Sequence, residues 1–301
     1  MHRLDAMQVF VKVAELASFT QAALALNLPR ATVSKAVQQL EAQLGARLLH
    51  RTTRQVRLTQ EGQACYERGR DLLAELDALH GMFRQEPAQL AGRLRVDMSQ
   101  GLARQVVIPR LPEFLQAHPR LTVELSSTDR LVDLVREGFD CVLRVGGPGE
   151  GALVGRRLGQ LVQHNYASPG YLRRHGTPRR LADLAGGRHR LVHYSSVPGA
   201  RPAGWEYQEN GRPASLDMAG VLTVNSSEAY MAACLAGLGM IQAPAVGAAG
   251  HLARGELVEV LPRYRAAPLP VTLLYADRRY LPARVRAFMD WLAEVLRPFL
   301  G

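Results

Sequence analysis

Residues 18–60, SFTQAALALNLPRATVSKAVQQLEAQLGARLLHRTTRQVRLTQ, read as two short helices, a tight turn and an arginine-bearing hairpin in succession. Ser18 can cap a first helix in which Ala22, Ala23 and Leu26 fall at helical spacing, and Asn27 tolerates the left-handed backbone that would end it. Pro29 suits the first turn of a second helix, where its missing N–H costs nothing. In that helix Val33, Ala36, Val37, Leu40 and Leu44 form an apolar stripe closed by Gly45. The opposite face carries Arg30, Thr32, Ser34, Lys35 and Gln38, with Ala31 beside them. Such side chains bond phosphate oxygens or base edges when a helix lies in the major groove. Arg51, Thr52, Thr53 and Arg54 then fall on a wing, where arginine suits the enhanced negative potential of a narrow minor groove. Two helices and a turn occur in many folds, but the first sixty residues also hold eight Lys or Arg against three Asp or Glu, a local excess suited to a phosphate backbone.

Composition sets outer bounds. With 301 residues and 47% hydrophobic content the chain can bury ample core and should divide into two or three domains. The net charge of +10 is a poor signal for DNA, because residues 1–86 carry eleven positive and nine negative side chains. The excess is almost all arginine, since Lys12 and Lys35 are the only lysines, and a solvated Arg-rich surface explains it as well. Cys65, Cys141 and Cys234 are isolated, so neither a disulfide framework nor a zinc site is supported and a reducing cytoplasm is expected. Lys12 and Glu15 interrupt any signal-peptide core. Residues 230–250 lack formal charge over a bilayer-spanning length. Gln242, Pro244 and the glycines instead predict a helix ending near Gly237, a strand Met240–Ala243 and a helix after Pro244, with no membrane partner.

Residues 60–84 read as one long helix in which Cys65, Gly69, Leu72, Leu76, Leu79 and Phe83 alternate steps of four and three, the seam of a coiled coil. Dimerisation through this helix is the expectation, with packing on its own domain as the alternative. Residues 87–92 read as a hinge. Beyond it strands and helices alternate in the manner of a parallel α/β sheet, with strands 94–98, 121–125 and 140–145 and helices over 102–117 and 129–137. A second unit begins near Gln163 with strands 161–167, 190–195 and 220–225. The chain then returns through 271–275 and a helix over 282–296 to complete the first. The expected boundaries are therefore 1–59, 60–86, 87–92, 93–162 with 267–301, and 163–266. Two crossings between α/β lobes make a cleft for a small molecule. Ligands in such sheets sit at carboxyl ends of strands, where helix starts offer N–H groups. This singles out Ser99, Gln100, Thr128, Arg144, Val145 and Gly146 in one lobe and Tyr194, Ser195, Asn225, Ser226 and Ser227 in the other, a set suited to a small carboxylate. For Ser227 a plain helix cap explains the residue equally well.

The strings FVKVAELASFTQAA, ATVSKAVQQLEAQLGARLLHRTTRQVRLTQEG, RLVDLVREGFDCVLRVG and AACLAGLGM, in this order and spacing, make the chain resemble the LysR-type transcriptional regulators along its whole length. The resemblance implies an α+β multidomain protein: a winged helix-turn-helix, a long dimerisation helix, and a two-lobed effector domain like the periplasmic binding proteins. It implies double-stranded DNA, a small-molecule effector and copies of the chain, as dimer or tetramer, as partners, with RNA polymerase as a further one. It also places Ser99 and Thr128 where members contact the inducer. One departure stands out. Pro29, Arg30 and Ala31 replace the Ser/Thr, Gln and Pro/Ser of many members, so Arg30 would read guanine where Gln favours adenine. GxSxG, HExxH and Walker strings are absent, and the Gly149, Gly151, Gly155 run precedes a strand rather than a helix, so no enzyme and no cofactor are expected. A solute-binding sensor whose N-terminal domain only dimerises is the other reading.

Overall fold

The computed structural model describes residues 3–51, 56–81, 90–147, 153–196, 199, 203–276 and 281–301. The chain divides into two compact units, Met1–Arg93 and Leu94–Gly301.

In the first unit three helices, Arg3–Leu16, Phe19–Ala25 and Arg30–Leu44, enclose a core built from Ala6, Val9, Phe10 and Val13 of the first, Phe19, Ala22 and Ala23 of the second, and Val33, Ala36, Val37 and Leu40 of the third. Local chemistry sets the element ends. Ser18 Oγ accepts from the Gln21 N–H at 3.3 Å, Asn27 takes a left-handed φ of 51°, and Gly45 closes the third helix at φ 65°. Pro29 occupies the cap position, just before the helix rather than inside its first turn. Leu44 does not extend the buried stripe, being 52% exposed. Glu41 instead anchors this end, its carboxylate accepting from the N–H groups of Leu48 and Leu49 at 2.9 and 3.2 Å. That contact ties the helix to an antiparallel hairpin, Leu49–Arg51 with Val56–Leu58.

A 22-residue helix, Gln60–Gly81, follows, with Thr59 Oγ1 accepting from the Gly62 N–H at 2.8 Å. A Cβ on Gly62 would lie 1.9 Å from the Leu48 carbonyl oxygen. Gly62→Ala should therefore push helix from hairpin and cost about 1–3 kcal/mol, measurable by urea titration; an unchanged midpoint would mean the backbones part without strain. The seam expected on this helix is only partly free. Cys65, with Tyr66 and Leu73, packs on the unit's own core, and Gly69 sits against Met7 and Val11, because the first helix covers this face. Leu72 stays 53% exposed. The side chain of Leu79, and all of Phe83, lie outside the described residues.

The second unit carries a five-stranded sheet in the order Arg120–Ser127, Ala91–Met98, Cys141–Val145, Leu269–Ala276, Leu153–Leu161. The sheet is mixed. Ala91–Met98 and Cys141–Val145 are parallel, but Leu269–Ala276 returns from the other lobe and inserts antiparallel to both neighbours. Ala91 and Gly92, expected in the hinge, already belong to a strand. The helix expected over 129–137 shrinks to Leu134–Glu137, capped by Asp133, whose side chain accepts from the Arg136 N–H. Residues 100–117 are helical with a π segment Ala103–Val107, placed where Pro109 and Pro112 withdraw two backbone donors from regular bonding.

The other lobe combines Gln163–Ala167, antiparallel to Ile241–Pro244 and Val258–Glu259, with a parallel pair, Leu191–Tyr194 and Gly220–Val224. The uncharged stretch 230–250 is divided among a helix Ser227–Leu235, the strand Ile241–Pro244 and a helix Ala245–Ala253. Among the described residues no helix is long and apolar enough to cross a membrane. A hairpin, Trp205–Glu209 with Arg212–Leu216, was not foreseen from sequence; its outer residues are polar and only Trp205 is fully buried.

Candidate functional site

Two surfaces carry chemistry, one in each unit. In the first, the helix Arg30–Leu44 divides cleanly. Val33, Ala36, Val37 and Leu40 are buried, while Arg30, Ala31, Lys35 and Gln38 are exposed and Thr32 and Ser34 half-buried. Neither the Arg30 guanidinium nor the Lys35 ammonium is tied to another described residue, so both heads remain available to an anionic surface. Pro29 caps this helix without contributing an N–H, and Arg30 and Thr32 lie in its first turn. Arg51 ends the first hairpin strand, paired with Val56. Thr52, Thr53 and Arg54 lie outside the described residues.

In the second unit a cavity of about 510 Å³ opens between the two lobes. Its floor is the carboxyl ends of the strands Ala91–Met98 and Cys141–Val145. Arg144 is 6% exposed and donates to Asp97 Oδ2 at 2.6 Å and to the Leu143 carbonyl at 3.3 Å. Asp97 is fully buried and also accepts from the Thr128 hydroxyl at 3.2 Å. This is a satisfied buried pair, the arrangement that keeps two charges tolerable away from water. Sequence reasoning missed Asp97; the one signal was a carboxylate between the apolar Val96 and Met98 of the strand LRVDM.

The wall is formed by two helices that point their N-termini at each other from opposite lobes. The Gly101 N–H donates to Ser227 Oγ at 3.2 Å, Ser226 Oγ donates to Gln100 Oε1 at 2.6 Å, and Arg104 pairs with Glu228. Asp129 bridges both helix starts, accepting from Gln100 N–H at 3.2 Å and Ser227 N–H at 2.6 Å. Of the residues singled out from sequence, Ser99, Thr128, Arg144, Val145, Gly146, Tyr194 and Ser227 line the cavity. Gln100, Ser195, Asn225 and Ser226 do not. Gln100 and Ser226 are turned into the inter-lobe bonds, Asn225 is exposed at the end of its strand, and the Ser195 N–H closes the sheet onto Val224. The strand-end rule locates a level in the fold but not which of two adjacent side chains faces inward.

Lining residues that the sequence did not disclose include Gln105, His193, Glu206, Tyr230 and Gln242. Burial holds the His193 imidazole below its ordinary range, so the ring is uncharged at neutral pH. The Tyr194 phenol is pushed up to about 12 by loss of solvent and by the neighbouring Asp129 carboxylate. It therefore offers an O–H donor throughout the physiological range.

Comparison with known proteins identifies the domains that carry these surfaces. Residues 4–63 match the model of the bacterial regulatory helix-turn-helix protein, lysR family, and residues 87–297 that of the LysR substrate binding domain. The chain is 47% identical over 300 residues to YhjC of Escherichia coli, described as an uncharacterized HTH-type transcriptional regulator, covering all of both chains. It is 37% identical over 295 residues to an HTH-type transcriptional repressor of Pseudomonas aeruginosa, covering 98% of this chain and 92% of that one. Among solved structures it resembles CrgA, a LysR-type transcriptional regulator of Neisseria meningitidis, with TM-score 0.61 and 29% identity over 97% of this chain and 98% of that one. The full-length virulence activator AphB of Vibrio cholerae gives TM-score 0.58 and 28% identity over all of both chains.

Proposed function

Because this chain belongs to the LysR family of DNA-binding transcriptional regulators with an effector-binding domain, we propose that the helix Arg30–Leu44 enters the major groove and that the cleft between the two α/β lobes holds the effector. The single observation that carries this reading is the two-faced helix, its apolar side spent on the core and its Arg30, Lys35 and Gln38 side free. Thr32 and Ser34 contribute shorter contacts to phosphates, and Arg51, Thr52, Thr53 and Arg54 the wing's hold on the flanking minor groove. The protein acts in the cytoplasm as a dimer or tetramer, with Leu72 and Leu76 on the part of the long helix left to a partner, and two recognition helices engage a partly palindromic operator. RNA polymerase is a further partner where the bound regulator activates.

Ser99, Thr128, Tyr194 and Ser227 supply hydroxyls to the effector, while Val145 and Gly146 shape the floor beside them. Arg144 acts indirectly, because its charge is committed to Asp97. A carboxylate effector, the chemistry that helix starts would favour, meets Asp129 already at those N–H groups.

Footprinting on DNA upstream of the chain's own gene tests the proposal. Protection that weakens steeply with salt supports it, and absence of protection at low salt supports the sensor reading instead. Within the footprint, Arg30→Ala should lose about 1–3 kcal/mol at one G·C pair and little elsewhere. Uniform weakening across sequences would reassign Arg30 to a phosphate.

A further inference from the structure

Asp129 occupies the place where an effector's acid group would be expected. Its two carboxylate oxygens accept from backbone N–H groups of two helices, Gln100 from one lobe and Ser227 from the other. A helix N-terminus carries roughly half a positive charge, so two of them aimed at one point repel unless an anion lies between. Asp129 is that anion, supplied by the protein itself from the turn after Arg120–Ser127.

The cations around the cavity are committed as well. Arg144 is held by Asp97 and Arg104 by Glu228. Among the two lining imidazoles, His251 faces Glu256 at 2.7 Å and His193 is half-buried, with desolvation disfavouring its charged form. Asp129 and Glu206 are the lining side chains whose charge meets no opposite charge among the described residues, and Asp129 is taken up by the two helix starts. Tyr194 and Tyr230 also line the cavity, with ring centroids 5.6 Å apart, and aromatic faces attract cations. An incoming carboxylate thus finds its helix starts filled and each cation paired, whereas an amine or a neutral amide finds acceptors.

We propose that Asp129 is a built-in substitute for a ligand's acid group, and that the cleft therefore takes an effector without negative charge, amine-bearing or neutral. This rests on the reading of the cleft as the effector site. Removing the Asp129 carboxylate vacates the junction and converts the cleft into an anion site.

The test compares thermal unfolding of the full chain with Asp129→Ala and Asp129→Asn, titrated with sodium benzoate against sodium chloride at equal ionic strength, and with benzylamine hydrochloride. Wild type should respond to benzoate no more than to chloride. Asp129→Ala should unfold at lower temperature and be restored by benzoate, half-saturating at a concentration lower by about tenfold or more than any wild-type response. Its response to benzylamine should be no stronger than that of wild type. Asp129→Asn, which keeps the shape and one acceptor oxygen, should lie between the two and carries the same criterion if the alanine variant does not fold. A benzoate response equal in wild type and variants, whether strong or absent, overturns the proposal. The readout is stability without DNA, so such a failure is distinct from failure of the cleft reading, which would appear as a footprint insensitive to substitutions along the cavity.

Discussion

Arg144→Ala should destabilise the cleft-bearing unit by about 3–5 kcal/mol, because it strands a fully buried carboxylate with only a hydroxyl for company. Asp97 is fully buried, and the Thr128 hydroxyl at 3.2 Å cannot neutralise it. In a urea titration followed by calorimetry, the transition of the unit Leu94–Gly301 should move while that of Met1–Arg93 stays in place. Replacing both partners, as Asp97→Leu with Arg144→Met, should recover most of the loss, since an apolar pair of similar volume carries no desolvation penalty. If Arg144→Ala costs under about 1 kcal/mol, the pair behaves like a solvated surface bridge and the floor of the cavity is wetter than its burial indicates. The same reasoning separates structure from recognition. Loss of effector response in Arg144→Ala alone would trace to the collapsed floor, and the apolar double variant should restore it.

Phe10→Ala should remove about 3–5 kcal/mol from the first unit, the cost of emptying a fully buried aromatic position. Phe10 packs in the cluster shared by Val33, Ala36, Val37 and Leu40, so the cavity opens directly behind the helix Arg30–Leu44 proposed to enter the groove. A domain of this size has only about 5–15 kcal/mol in total, and the variant should lose operator binding at 37 °C before it loses its ligand cleft. Mobility shift at 10 and 37 °C, with calorimetry in parallel, checks this. Operator affinity unchanged at both temperatures would mean that the helix holds its place without the core behind it.

Much of the first unit was legible because its signals are local. The stripe Val33, Ala36, Val37, Leu40 repeats at helical spacing, Ser18 and Gly45 mark ends, and Asn27 marks the turn, all within a few residues of what they control. The same locality misled at Leu44 and at Cys65 and Gly69. Periodicity says that a side chain lies on one face, but what covers that face is another element. For Cys65 and Gly69 that element is the protein's own first helix.

In the second unit the order of strands and helices was readable, since alternating apolar runs and helix caps punctuate it. The direction of Leu269–Ala276 was not, because a strand carries no mark of which neighbour it will join after the chain has travelled through a whole lobe. The cavity residues divide similarly. Ser99 and Thr128 follow from the position of strand ends, whereas Gln100 and Ser226 turned out to bond each other across 126 positions of sequence.

The amino-acid order by itself determined a helix-turn-helix with one polar face, a wing, a long connecting helix and two α/β lobes, since short-range periodicity, capping and turn chemistry suffice for these. Tertiary structure alone decided that Asp97 neutralises Arg144 and that Asp129 fills the junction of two helices, contacts spanning 47 and 98 residues. Electrostatic energy depends on distance in space, and only the folded chain brings these charges within hydrogen-bonding reach.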